Sequence, residues 1–511
     1  MECVVRSVAD INDPETLKQA ALLLEHENTR LHTRLAELTA EIAKLSGKEA
    51  AEQLQLEIVR LQEQLALARQ KAFGTSSEKR GSDKDAASGR KTGADQKPPG
   101  HGPRAQLELD VVPVPHELPE DERKCPDCGL AVCEWEGQTE DSDEITVVER
   151  RFVIKKHQRK KYRCKGGCAP VTAPGPLKLV EGGRYSIELA IYVALAKYLY
   201  HLPLERQVRM YAANGLTIDS QTLWDQIEAL ARHLEPSYRA LGPEIFRSPL
   251  IHADETHWNM LSGQSTKWYV WSVADHGAVF HRIFPSRSGA TAKEVLAGYR
   301  GTVMVDAYDA YQTARTGPGG TLLFSLVFCW AHVRRRFVKA TPFAEAACKE
   351  VLDLIGRLYE IERDLPNPHA LDGDVQKAAL EHILAIRQER SAPIVAEIKA
   401  WVGRQAALPE STFAKAINYM VDQWPGLTGF LENPWAPLDN NLVERQIRGV
   451  VVGRKNHYGS KSKRGTEVAA IFYSLIETAQ IRGEDPSAFL LRAARAAILA
   501  PGAVTLPHPV N

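Results

Sequence analysis

Leu17, Leu24, Leu31, Leu38 and Leu45 recur every seven residues, with Ala21, Asn28, Leu35 and Ile42 at the intervening seam positions. A seven-residue apolar repeat keeps one narrow stripe of a helix facing a partner helix, so the pattern predicts a coiled coil over residues 15–72. Ser46 and Gly47 interrupt it. It resumes at Leu54, Ile58, Leu61 and Leu65 in a register shifted by two residues, so the two halves need not form one straight rod. Asn28 in the seam would pair with its symmetry mate and fix register and strand number. The alternative is an amphipathic helix packed on its own chain; the narrow seam and polar remainder favour a homodimer or higher oligomer. Residues 73–105 are rich in Gly, Ser, Lys and Pro with almost no apolar position, the pattern of a flexible linker.

Alternating short runs then predict a small β module over residues 106–175. It carries two knuckles, Cys125-Pro-Asp-Cys128 and Cys164-Lys-Gly-Gly-Cys168, with 35 residues between them. Two thiolates on each of two tight turns can complete one tetrahedral zinc site. Cys133 and His157 are spare candidates. Lys155, Lys156, Arg159, Lys160, Lys161 and Arg163 make the strand between the knuckles strongly basic, which suits a phosphate contact or a solvated surface. Residues 176–246 follow a helical period, with a stop at Gly215 and a new start between Thr217 and Ser220. The second part reads as a helix-turn-helix whose second helix begins near Gln221, or as plain helix packing.

From Pro249 the period changes to two. PLIHADETHW, KWYVWSVAD and AVFHRIFP are strand-like runs rich in aromatic and β-branched residues. TAKEVLAGY is a short helix, GTVMVDAY a buried strand ending at Asp306, and LLFSLVFCWAH a strand leading into the basic helix VRRRFVKA. Three strands, helix, strand, helix, strand is the order of a ribonuclease-H-like mixed sheet, in which the fourth strand lies beside the first. The catalytic domain is therefore expected at 247–332 and 435–480, split by a helical insertion at 333–434 and followed by a C-terminal segment, 481–511. The fold class expected for the whole is multidomain α+β.

At 511 residues the chain is too long for one core, which fits several domains. Lys plus Arg equals Asp plus Glu at 64 each, so only local charge bears on nucleic acid. There is no run of 18 apolar residues and no signal-like N-terminus, which argues against a membrane or secreted protein. Eight cysteines, four of them in two close pairs, suit metal in a reducing cytosol better than disulfides.

Three acids carry the candidate chemistry. Asp254 lies in the first strand, Asp306 ends the fourth, and Glu444 begins a helix after the insertion. Phosphodiester transfer uses two divalent cations about 3.5–4 Å apart, and Mg2+ (or Mn2+) keeps several waters, so few carboxylates suffice. Glu255 is set aside because strand alternation points it to the opposite face, and Asp309 because it falls one helical turn beyond the strand end. Asp439 reads as a helix cap with Asn440 and Asn441. If the helix continues, Glu444, Arg448, Val451 and Lys455 share one face. Arg454, Lys455, His457, Lys461, Lys463 and Arg464 read as a basic loop over DNA, and Arg334, Arg335, Arg336 and Lys339 as a basic helix face. Cys329 and His332 have the spacing of a metal pair without a partner pair nearby, so His332 is read as orienting substrate or a neighbouring acid.

The motifs HADETHW, VDAYDAY, CWAHVRRRF and PLDNNLVERQIRGVVVGRKN resemble those of the insertion sequence 66 transposases, and the resemblance covers almost the whole chain. It implies a DDE transposase whose three acids are Asp254, Asp306 and Glu444. It further implies a zinc-binding module and a leucine-rich coiled coil, with the terminal inverted repeats of a mobile element as substrate. Accessory proteins encoded by the same element and a bacterial cytoplasmic, nucleoid-associated location are part of that expectation. A non-enzymatic DNA-binding regulator and a ribonuclease-H-like nuclease of repair are the rival readings. The intact acids speak against the first, and the dimerising and zinc segments against the second.

Overall fold

The computed structural model describes residues 152–162, 171–261 and 267–509, with isolated positions at 33, 37, 130 and 131. Those positions apart, the seven-residue repeat, the linker and all four knuckle cysteines (Cys125, Cys128, Cys164, Cys168) lie outside the described residues. Of the β module, a two-residue antiparallel pair is described: β1 (Lys161–Tyr162) and β2 (Val171–Thr172). Lys160 and Lys161 are exposed there.

Three helices follow, and local chemistry sets their ends. Ser186 caps α1 (Ile187–Tyr198) by accepting from the Leu189 amide. Gly215, with φ of +83°, turns the chain after α2 (Leu204–Ala213), a conformation glycine adopts without strain. Asp219 caps α3 (Ser220–Ile245) by accepting from the Thr222 amide at 2.6 Å. The start of α3 falls where the sequence placed it. Its Leu223, Ile227, Leu230, Leu234 and Leu241 are fully buried, and its outward Arg232 and Arg239 are held by Glu228 and Glu235 one turn earlier.

The alternating runs form one five-stranded mixed sheet. Its strands are β3 (Leu250–Asn259), β4 (Lys267–Ala274), β5 (Val279–Phe284), β6 (Thr302–Val305) and β7 (Ser325–Phe328). The spatial order is β5-β4-β3-β6-β7, with β3–β4 and β4–β5 antiparallel and β3–β6 and β6–β7 parallel. β6 is buried at all four residues, as expected of a parallel strand covered on both faces. The parallel crossovers carry α4 (Gly289–Val295) and α5 (Asp309–Arg315).

After β7, every element up to residue 431 among those described is helical: α6 (Trp330–Ala340), α7 (Glu345–Arg363), α8 (Gly373–Ile386), α9 (Ala392–Gly403), α10 (Thr412–Asp422) and α11 (Trp424–Leu427), with short 3-10 and π turns between. A buried arginine ties this insertion together. Arg387, in a π-helical turn at Arg387–Ser391, meets both Glu362 oxygens at 2.8 and 2.7 Å. It also donates to the carbonyls of Phe430, Asn433 and Ala436 at 2.9, 3.0 and 2.9 Å. A buried guanidinium is tolerated only when paired and saturated in this way.

Asn433 then donates to the Thr302 hydroxyl at the start of β6 at 3.0 Å, and the Trp330 amide donates to Leu438 O at 2.8 Å. The returning segment is thus stitched to the sheet before α12 (Asn441–His457), α13 (Lys463–Ile481) and α14 (Pro486–Leu499). Among the described residues no helix is long and apolar enough to cross a membrane.

Candidate active site

Backbone register places the two aspartates. β3 pairs with β6 as Leu250–Thr302, Ile251–Val303 and His252–Met304. Two more steps of that register bring Asp306 level with Asp254 on the neighbouring strand. The turn after β6 is strained: Ala307 has φ of +69°, a region a residue with a Cβ adopts at a cost of about 1–3 kcal/mol. Asp306 Oδ1 accepts from the Tyr308 amide at 3.0 Å, and the Tyr419 hydroxyl, from the insertion, donates to Asp306 O at 2.8 Å. Both contacts hold the turn.

The carboxylates of Asp254, Glu255 and Asp306 each offer an oxygen within 4.8 Å of the others. Burial, followed by the charges of Glu255, Asp306 and Glu444, pushes the Asp254 carboxyl up to about 8. Such a cluster repels itself unless cations or protons enter it.

Glu255 belongs to this group, against the expectation from strand alternation. Alternation gives the direction of Cβ, but the longer side chain reaches to Tyr311 and Arg287, which leaves its carboxylate beside Asp306. The buried Glu255 carboxylate accepts from the Tyr311 hydroxyl at 2.6 Å and from Arg287 Nε at 2.8 Å, with a second, short contact to the same guanidinium. Arg287 in turn stacks 4.0 Å over the Tyr308 ring. Glu255 is therefore already neutralised by the protein. Nothing in the local sequence around Arg287 signals this.

Glu444, in the first turn of α12, joins a second group. Its carboxylate, Cys329 Sγ and a His332 ring nitrogen lie within 4.8 Å of one another. Glu444 Oε1 is buried without a hydrogen-bond partner and stands 3.9 Å from His332 Nε2; Oε2 stands 3.7 Å from Arg335. Burial depresses His332, with the charges of Glu444 and Asp306 opposing it, and pushes the Cys329 thiol up to about 12. The three predicted acids thus form two adjoining sets, Asp254 with Asp306 and Glu444 with His332, each sensing the other's charge. Each set can hold a divalent cation through carboxylate oxygens.

Asp439 serves the first amide of α12, accepting from Asn441 N at 3.0 Å. Two other predicted positions change role. Asn440 does not cap the helix; it is 0% exposed and turned inward. Arg454 is not in a loop, because α12 runs on to His457. The guanidinium is buried, donating to the Thr256 hydroxyl at 3.2 Å and, through a short contact, to His257 O.

His457 is likewise internal, bonded to the Tyr473 hydroxyl at 3.1 Å. Gly453 makes this closeness possible, since a Cβ there would strike that hydroxyl. Arg448 and Lys455 remain exposed on α12, as do Arg335, Arg336 and Lys339 on α6, with Arg334 half-buried.

The chain matches the sequence profile of the transposase IS66 family over residues 182–468, a span that includes all of these acids. It is similar to three proteins of Sinorhizobium fredii (strain NBRC 101917 / NGR234). Uncharacterized protein y4jD is 32% identical, over 77% of this chain and 76% of its own length. Uncharacterized proteins y4hP and y4qI are 26% and 29% identical, each over 68% of this chain and 66% of theirs. No solved structure matches the chain.

Proposed function

Because the chain belongs to the transposase IS66 family, we propose that it is a DDE-type DNA transposase with Asp254, Asp306 and Glu444 as catalytic acids of a ribonuclease-H-like domain. The observation that carries this reading is the half-buried pair Asp254–Asp306, level by the register of the parallel strands β3 and β6, with Glu444 beside it and one of its oxygens buried and unpartnered. That donor set fits Mg2+ or Mn2+: hard carboxylate oxygens, excess negative charge and an orphaned acceptor. Bound there, divalent cations would supply activation of the attacking hydroxyl and stabilisation of the leaving oxygen.

The protein's own residues orient the DNA. His332, whose charged form burial disfavours, faces Glu444 and is available to a phosphate or to the metal set. Arg334, Arg335, Arg448 and Lys455 offer cations to the flanking phosphates, and Lys160 and Lys161 to DNA further along. A water first attacks the phosphodiester at the element's end. The freed 3′-hydroxyl then attacks target DNA, so no serine or tyrosine nucleophile is needed.

Cys125, Cys128, Cys164 and Cys168, which lie outside the described residues, would supply a four-thiolate donor set suited to Zn2+. The repeat at 15–72 would join two protomers, so that two ends are processed together. The protein would act on DNA in the bacterial cytoplasm.

The test is Mg2+-dependent nicking of DNA carrying the element's terminal inverted repeats. Wild type should nick and Asp254→Asn should not. Equal activity in both removes the site assignment. Inactivity of both, with end-specific binding retained, points to the regulator.

A further inference from the structure

We infer that Asn440 is the positioning residue that sets Glu444 against Asp254, an inference that rests on the catalytic reading of those two acids and deepens it. Burying an amide side chain costs free energy unless each polar group finds a partner, and Asn440, 0% exposed, uses all of them. Its Nδ2 donates to Ala253 O at 2.8 Å, and its Oδ1 lies 2.9 Å from His252 Nδ1. Its backbone amide donates to Cys329 Sγ at 3.2 Å, and its carbonyl accepts from the Glu444 amide at 3.3 Å.

The orientation follows from chemistry. Only the NH2 end can serve a carbonyl, so the oxygen faces His252, whose ring must carry its proton on Nδ1.

These partners sit where the site needs them. His252 and Ala253 immediately precede Asp254 on β3. The β3–β6 ladder ends at His252–Met304, so the Asn440 amide takes the Ala253 carbonyl one step past the last rung. Cys329 joins β7 to the helix carrying His332. Glu444 lies one helical turn beyond Asn440, about 5–6 Å away along the face. One residue therefore joins these elements: its side chain ties the start of α12 to His252 and Ala253 on β3, and its backbone amide ties it to Cys329 at the head of the His332 helix. A helix cap would do none of this, and Asp439 already serves the neighbouring amide. Displacing a reacting group by about 1 Å can cost about 10²-fold in rate, so the strut has a functional consequence beyond stability.

The experiment measures Mn2+ binding to the full-length protein by calorimetry and by electron paramagnetic resonance, alongside thermal unfolding. Loss of an outer-shell partner typically weakens metal binding about 10–100-fold, and that weakening is expected for folded Asn440→Ala. The pair His252→Ala and His252→Gln tests the same strut from its other end. The first should lose affinity; the second, whose amide can still donate to Asn440, should recover most of it.

Unchanged Mn2+ affinity in folded Asn440→Ala, with only a lower melting temperature, would overturn the inference and leave the function standing. Equal loss in both His252 variants would overturn it too. Wild-type Mn2+ binding that survives both Asp254→Asn and Glu444→Gln would instead sink the catalytic reading beneath it.

Discussion

The two halves of the site are built differently. The aspartate half is written into the sheet: Asp254 lies on β3 and Asp306 directly follows β6, and the register of the ladder brings them level. The glutamate half arrives after a helical insertion and has no ladder to guide it. A few single contacts set its place instead: the Arg387 side chain on the returning segment, the backbone bond from Trp330 N to Leu438 O, and the Asn440 side chain on β3. A ladder fixes position through many equivalent bonds, whereas struts fix it through a few that can be removed singly. The aspartate half should therefore tolerate change around it, and the glutamate half should fail at a distance.

The largest effects should come from the acids, and they should separate the halves. Asp254→Asn and Glu444→Gln are each expected to lower end nicking by about 10³-fold or more, in line with the loss of a main electrostatic element of a site. Their stabilities should differ. Replacing the half-buried Asp254 carboxyl, crowded by other acids, with a neutral amide should raise the melting temperature in metal-free buffer. Removing Glu444, 23% exposed on its side chain, should change it little. A matching rise in both would mean that the halves share one electrostatic origin.

Next in size is Arg387, far from the acids. Arg387→Met leaves the Glu362 carboxylate without its buried partner, a change worth about 3–5 kcal/mol. It also frees three carbonyls of the segment leading to α12. Urea unfolding should show the loss. In the fraction that stays folded, nicking should fall while Asp254 and Asp306 keep their places. Full activity per folded molecule would show that the glutamate half does not depend on this strut.

The pH dependence sharpens the same contrast. Asp254 is raised to about 8 by burial and neighbouring carboxylates, against about 3.9 when unfolded. Between those values the folded protein holds a proton that the unfolded chain has released. The metal-free protein is then most stable below the unfolded value and loses stability as pH rises toward 8, by at most about 1.4 kcal/mol per unit from this group. Melting curves from pH 5 to 8 in chelator should show that slope. It should shrink in Asp254→Asn and when Mn2+ is added to wild type. A slope unchanged by either would remove Asp254 as its source.

Much of the sheet could be read from period-two alternation, because each run also ends at a turn or helix signal. The strand position of Asp254 and the strand-end position of Asp306 followed from that. What escaped depended on side-chain reach and on three-dimensional partners. Glu255 escaped because alternation describes Cβ, not the end of a long side chain drawn toward Tyr311 and Arg287. Asn440 escaped because a polar residue before a helix is usually a cap, and its partners lie nearly two hundred positions away in sequence. Arg454 was misplaced for a plainer reason. Three valines and a glycine made the helix look as if it ended, although Val443, Ile447, Val450 and Arg454 are spaced as one buried stripe once it continues.

That stripe yields the last and smallest test, made within α12 itself. Arg448 and Lys455 lie on the face shared with Glu444 and are exposed, whereas Arg454, 8% exposed, is spent on Thr256 and His257. Arg448→Ala and Lys455→Ala should each weaken DNA binding across all sequences and lower the slope of log affinity against log salt by about 1, with no change in melting temperature. Arg454→Ala should do the reverse: it removes the buried guanidinium that bonds Thr256 and the His257 carbonyl, costing about 1–3 kcal/mol of stability, and leaves the salt slope of the folded protein alone. Titrations of DNA by fluorescence anisotropy at several salt concentrations separate the two outcomes. If Arg454→Ala changed the salt slope as Arg448→Ala does, the inward arginine would have to leave its pocket to meet DNA. The strut that holds the far end of the glutamate helix to β3 would then be a moving part.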